Sequence, residues 1–157
     1  MTYLKDLATN RAAFHNYFIA DRIEAGIVLV GTEVKSLRMG SCSLKDAYAR
    51  VKDGEVWLYN CHISPYTHGN IFNHEPLRPR KLLLHRNQIV RLRREQEAAG
   101  QTLIPLRVYL KEGTIKVELG VASGKRQHDK RDAKRLETLK REAAQAVRER
   151  TKDRRGR

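Results

Sequence analysis

His62, His68 and His74 stand six residues apart, with Cys61 beside the first. Imidazole and thiolate are zinc ligands, so this stretch is the first place where metal chemistry has to be considered. A spacing of six is neither helical nor finger-like, and no second cysteine follows at short range, so a zinc site is not expected. Cys42 and Cys61 are the only cysteines and have no paired spacing. They read as reduced, buried and unremarkable thiols of a cytosolic protein. Gly120 to Arg126, GVASGKR, has the flavour of a phosphate loop, but its glycines are one residue too close and Arg126 stands where Ser or Thr would bind magnesium. No Ser-His-Asp set or carboxylate pair stands out. Nothing in these residues demands catalysis, and no catalytic residue, metal or cofactor is assigned.

Binding is the chemistry that remains. Glu24 is a carboxylate beside a turn signal in a basic chain. Its plain reading is a surface charge. Its sharper reading is an acceptor for an exocyclic amine or a guanine edge. Tyr17, Phe18, Tyr48, Trp57, Tyr59 and Tyr109 suit a barrel wall or core, and Tyr48, opposite an alanine face, also suits base stacking.

The formal net charge of +14 from 32 basic residues argues for a polyanionic partner, nucleic acid ahead of an anionic membrane. No apolar run is long enough to span a bilayer, and the N-terminus has no apolar core followed by a cleavage site, so no secretion signal is expected.

The elements that would position these residues follow from period. Residues 1–12 carry no pattern and suit a flexible lead-in. Phe14 to Ala20 reads as a strand turning at Asp21 to Glu24 into a second strand at Ile27 to Val30, as a hairpin. Gly31 breaks that run, Thr32 is placed to cap a short helix with Val34 and Leu37 on one face, and Gly40 is placed to stop it. Such a helix can plug the open end of a small barrel. Leu44 to Val51 and Glu55 to Asn60 alternate about an Asp53-Gly54 turn. His62 to Pro79 has no period, Arg78 to Arg86 sets an apolar triplet among basic residues, and Asn87 to Ala99 reads as a helix ending at Gly100. Ile104, Leu106, Val108 and Leu110 share one face of a strand; Ile115, Val117, Leu119 and Val121 share the returning face. Pro105, lacking an N–H, is expected at an edge or a gap in the ladder. The sum is a mainly β chain: a small antiparallel barrel of about six strands, a plug helix and a second helix.

From Gly124 the composition changes. Residues 124–157 hold 14 Lys or Arg against 6 Asp or Glu, net +8 of the chain's +14, and no aromatic residue. Leu136, Leu139, Ala143 and Val147 form a thin apolar stripe at helical spacing. A lone helix with so little to bury is marginal in water, so the tail is expected to be disordered when free and helical against a polyanion. The division expected is 1–123 for the barrel and 124–157 for the tail.

EAG at 24–26, GTEVKSLRMG at 31–40, RKLLLH at 80–85 and GVASGKRQHDKR at 120–131 together resemble the SsrA-binding protein family, also called small protein B. The likeness covers roughly residues 10–131. It implies an OB-like barrel, not an enzyme, that binds the tRNA-like part of transfer-messenger RNA and delivers it to stalled ribosomes for trans-translation. It also implies a cytoplasmic monomer, with elongation factor Tu on the charged RNA complex and no membrane partner. By motif, Glu24 corresponds to the family's RNA-contacting glutamate, and Leu83 and His85 to a second contact segment, with Tyr17 and Arg38 as neighbours. The resemblance places Lys125, Arg126, His128, Asp129, Lys130 and Arg131 in a tail segment that enters the decoding centre of the small subunit and the empty message channel. The alternatives are a generic barrel that binds RNA or ribosomes without the rescue role, and a metal-dependent RNA-processing enzyme built on the histidine loop.

Overall fold

The computed structural model describes residues 4–68, 73–98, 100–125 and 127–155; the side chains of 127–133 and 153–155 fall outside that description. The chain divides into two compact units, Met1–Gly124 and Lys125–Arg157. In the first, the elements run β1 (Leu4–Thr9), α1 (Arg11–Asn16), β2 (Tyr17–Ile27), α2 (Gly31–Arg38), β3 (Cys42–Ser43), β4 (Tyr48–Lys52), β5 (Glu55–Tyr59), β6 (His62–Ile63), β7 (Arg80–Leu83), α3 (Arg86–Glu97), β8 (Gln101–Lys111) and β9 (Thr114–Gly124). The second is the helix α4 (Gln127–Arg155), whose described side chains from 134 to 152 are all exposed.

Six antiparallel strands close a ring in the order β8-β4-β5-β7-β2-β9, with β9 pairing back to β8, and β1 lies along the far half of β8. Closure leaves few free edges, which is how a short-stranded sheet avoids pairing with other chains. The ring encloses one core that includes Val56, Leu58, Leu82, Leu103, Val117 and Leu119, to which α2 contributes Leu37 and α3 contributes Leu92. The expected plug helix therefore does bury its apolar face. Gly40, at φ +76°, stops that segment in a conformation that suits glycine.

Several expectations are corrected. The lead-in is not patternless in space, because β1 pairs with β8. Phe14 lies in a helix rather than a strand: the Asn10 side chain accepts from the Ala13 N–H at 3.3 Å, and Ala13 is buried. The predicted hairpin at 14–30 is one strand of 11 residues, because β9 pairs along it from Tyr17 to Gly26 and leaves no turn at Asp21 to Glu24. That strand ends at Ile27, and α2 begins at Gly31, where Glu33 rather than Thr32 takes the free Val30 N–H at 2.9 Å. Leu44 precedes its expected strand, which starts only at Tyr48 after Asp46 turns the chain at φ 63°. Within His62 to Pro79, His62–Ile63 pairs with Cys42–Ser43, and Asn73 bonds both backbone groups of Tyr66. Gly69 and Asn70 of that loop, and Ala99 at the expected end of α3, lie outside the described residues.

The most consequential correction is in β8. A register shift between Pro105 and Arg107 inserts one residue into that strand. An inserted residue reverses which side chains face in. Before it, Leu103 faces the core while Ile104 and Leu106 pack outside against Ala13 and Ala122. After it, Val108 and Leu110 join the core and Arg107, Tyr109 and Lys111 face out. Pro105 thus sits beside a gap in the ladder as expected. The Asn10 side chain and backbone N–H donate to the Pro105 and Leu106 carbonyls at 3.0 and 2.8 Å, satisfying the irregular backbone. β2 carries a matching shift between Ile19 and Asp21, so Tyr17 and Ile19 pack with the outer cluster while Ile23 and Ala25 enter the core.

Candidate nucleic-acid interface

The two phase reversals set Glu24 on the outer face of the barrel, in register with Glu118 on β9 and near Tyr109 and Lys111 on β8. The Tyr109 hydroxyl donates to Glu24 Oε2, and Lys111 Nζ lies 3.3 Å from each carboxylate oxygen. The Tyr109 bond draws the Glu24 carboxyl below its usual range, partial burial opposes the shift, and Lys111 and Lys116 reinforce it. Burial and the neighbouring Glu24 charge push the Tyr109 hydroxyl up, so it remains a donor. The Tyr109 ring is 2% exposed, and the Arg107 guanidinium lies 4.3 Å from its centroid. Arg107 is itself held by Asp6 at 2.9 Å and Glu118 at 3.2 Å.

β2 also pairs with β7, Gly26 opposite Leu83. A Cβ on Gly26 would meet the Leu83 Cβ at 3.2 Å, so the glycine is what lets that leucine lie close against β2. Leu83 remains about half exposed, at 51%. His85 follows as the exposed residue capping α3, its backbone N–H bonded to Gln88 Oε1 at 3.0 Å. Glu24, Leu83 and His85, up to 61 residues apart in sequence, thus line one open groove of about 670 Å³. Arg22, Arg91 and Lys116 line it too, with Arg91 bound to Asp21 and Arg22 3.5 Å from Glu118.

This set has complementary parts. An ionised carboxylate with two fixed donors keeps further lone pairs for an incoming amine. A half-exposed leucine offers an apolar face to a base or sugar, an imidazole can donate or accept, and three cations can meet phosphates.

The other candidates lie elsewhere. Tyr17 begins β2, seven residues before Glu24 or about 23 Å along a strand, and lines a separate groove of about 460 Å³ with Tyr48 and Lys45. Arg38 ends α2, exposed and outside both grooves. Lys125 is half-buried at the start of the tail. Arg126 lies outside the described residues, and so do the side chains of His128, Asp129, Lys130 and Arg131, although the last four belong to α4 by backbone.

The histidine loop does not gather ligands. His74 bonds the Thr32 hydroxyl and the Ile63 carbonyl, each at 2.8 Å, pinning the loop to α2. Among the described residues no three His, Cys, Asp or Glu side chains converge as a metal site needs, and no helix is long and apolar enough to cross a membrane. Gly120 and Gly124 are paired strand residues, so the GVASGKR stretch forms no phosphate cradle.

Tyr109, Lys111, Arg22, Arg91 and Lys116 were not expected at this site. Alternation with Val108 and Leu110 marks Tyr109 as outward-facing, but only the pairing of β9 with both β2 and β8 brings it beside Glu24.

Comparison with known proteins agrees with the resemblance. The family described as SmpB protein matches residues 7–149. The chain is similar to the SsrA-binding protein of Caldicellulosiruptor bescii, 56% identical over 150 residues, which are 96% of this chain and 92% of that one. The SsrA-binding protein of Bacillus cytotoxicus is 54% identical over 94% of this chain and 96% of its own length. A solved structure presented as "tmRNA-SmpB: a journey to the center of the bacterial ribosome" superposes with a TM-score of 0.66 at 47% identity, over 81% of this chain and 93% of that chain.

Proposed function

The chain belongs to the SmpB protein family, and from that premise we propose that it binds the tRNA-like part of transfer-messenger RNA and brings it to stalled ribosomes for trans-translation. It acts as a binding protein rather than an enzyme. The relatives' name, SsrA-binding protein, and the tmRNA-SmpB description of the structural neighbour support this partner. The observation in the molecule that carries the reading is the groove in which Glu24, Leu83 and His85 converge. Glu24 would accept from a base edge, Leu83 would pack on an unstacked base or sugar, and His85 would bond beside it. Arg22, Arg91 and Lys116 would hold phosphates and set the register.

In this reading the tail works separately. Its basic helix enters the negatively charged message channel and decoding centre only where no message fills them, which selects stalled ribosomes by occupancy. Lys125, Arg126, His128, Lys130 and Arg131 would make those contacts. The chain acts as a cytoplasmic monomer, with elongation factor Tu on the charged RNA complex.

The test is binding of the full chain to the tRNA-like half of transfer-messenger RNA and to an ordinary tRNA across a salt series. A preference for the first that persists at higher salt is expected, because recognition beyond counterion release does not fall with salt. Equal affinities falling together would reduce the protein to a basic barrel that adheres to RNA. Removal of 124–157 should retain most of this binding and abolish tagging; loss of binding would refute the division of labour.

A further inference from the structure

We propose that Cys42 and Cys61 form a redox modification site, closed by a peroxide into an intramolecular disulfide that ties the segment leaving α2 to the end of β5. The two cysteines are 19 residues apart in sequence, yet their Sγ atoms lie 3.8 Å from each other. The cause is the short β3–β6 ladder. Cys42 pairs with Ile63, and Cys61 lies two residues before Ile63, so it shares that residue's face and stands diagonally across from Cys42. A disulfide needs sulfurs about 2.05 Å apart, so the remaining contraction is about 1.8 Å, within reach of rotations about the two Cα–Cβ bonds.

The surroundings make the pair asymmetric. Cys61 is 1% exposed, whereas Cys42 is half-buried and opens the pair to solvent. The Arg80 side chain, itself fully buried, donates from Nη1 to the Cys61 carbonyl at 2.6 Å and sets a fixed positive charge beside that residue. The contact with Cys42 draws the Cys61 thiol down, burial opposes this, and Arg80 reinforces it against the Glu33 charge. Its bond to Cys61 and its burial push the Cys42 thiol up. The two thiols are thus inequivalent, Cys61 being drawn down by its neighbours and Cys42 pushed up.

The step balances with hydrogen peroxide as the two-electron oxidant. The deprotonated sulfur of one cysteine of the pair attacks one peroxide oxygen, an S–O bond forms, the O–O bond breaks, and the leaving hydroxide takes up that thiol's proton as water, giving the sulfenic acid. The sulfur of the other cysteine then attacks that sulfur, the S–O bond breaks, and its proton leaves with the hydroxide as water. Two thiols are oxidised to one disulfide and one peroxide is reduced to two waters. A thiol reductant reverses the change.

The experiment uses the full, folded, wild-type chain treated with hydrogen peroxide. It reads free thiols, the peptide map and the thermal midpoint. Expected are loss of both thiols together, one linked peptide pair joining Cys42 to Cys61, and full recovery with dithiothreitol. Closure should be faster in the folded chain than in urea, because only the fold brings the sulfurs together. The closed form should melt several degrees higher, since the bridge constrains the unfolded chain. Retention of both thiols, further oxidation of one cysteine without linkage, or faster closure in urea would overturn the proposal. So would a closed form that melts lower than the dithiol, because the folded barrel would not then accommodate the bond.

Discussion

Glu24 and Glu33 are nine residues apart and carry the same group, and each is held below the usual carboxylate range. Their surroundings differ in every other respect. Glu33 lies in α2 and is 0% exposed. Burial pushes its carboxyl up, and the Val30 N–H with the Arg78 and Arg80 guanidiniums more than reverses that push. Arg80 Nε donates to Glu33 Oε2, Arg78 Nη2 lies 2.5 Å from Oε1, and Arg80 also donates to the Cys61 and Pro76 carbonyls at 2.6 and 3.1 Å. Every acceptor at that end is engaged inside the protein, and the cluster ties α2 to β7 and the loop before it. Glu24 is engaged on one side only, by Tyr109 and Lys111, with its side chain 40% exposed to the groove. A fully surrounded carboxylate holds structure together. A half-surrounded one is oriented and still able to bind.

Glu33→Ala should show the larger effect, and it tests the structural half of this contrast. It leaves Arg80 charged and unpaired in the interior, which costs about 3–5 kcal/mol, a large share of a small domain's stability. Urea titration followed by tryptophan fluorescence should show a much lower midpoint or no folded baseline. A variant as stable as the wild type would mean that the cluster does not hold α2 to the barrel.

Glu24→Ala tests the binding half. Urea unfolding should shift little, while affinity for the tRNA-like RNA falls by the equivalent of about 1–3 kcal/mol, the value of a base-edge contact. The slope of affinity against salt should stay as it was, because no phosphate contact is removed. A changed slope with an unchanged RNA preference would recast Glu24 as an ordinary surface charge.

Tyr109→Phe should have the smallest effect at neutral pH, and it sharpens the comparison. The Glu24 carboxyl is depressed mainly by the Tyr109 hydrogen bond. Binding that uses the ionised form is complete well above its pKa and is lost as pH falls through it. Removing the hydroxyl raises that pKa, so the acid limb of RNA binding should move to higher pH, with affinity near pH 7 only slightly reduced. Chemical-shift titration of the Glu24 carboxyl in wild type and variant checks the assignment. An unmoved acid limb would separate Tyr109 from the orientation of Glu24.

Much of this was legible in the chain because it depends on local pattern. Alternation at 115–121 marks a half-buried strand that is one in the structure, Gly40 stops the segment after α2, and the charge step at 124 marks where the composition changes. The motifs at 24–26 and 80–85 were separately visible, and β2–β7 pairing brings them to one groove. Local pattern failed where a partner supplied the answer. Phe14 sits in an aromatic, apolar run that suits a strand, but the Asn10 cap and the buried Ala13 make it helical.

The amino-acid sequence by itself determined the strand-rich class, the basic tail and the end of the α2 segment, because period, charge and glycine placement act over a few residues; the two segments that meet in the groove were marked by their resemblance to the family's motifs. Only the tertiary structure decided which way Ile104 and Leu106 face, since one inserted residue near Pro105 reverses the alternation without altering composition. It also decided the pairing of Glu33 with Arg80, 47 positions away, and of Cys42 with Cys61. The physical reason is common to all three. A side chain's surroundings are set by which segments the fold brings against it, and those partners lie far off along the chain.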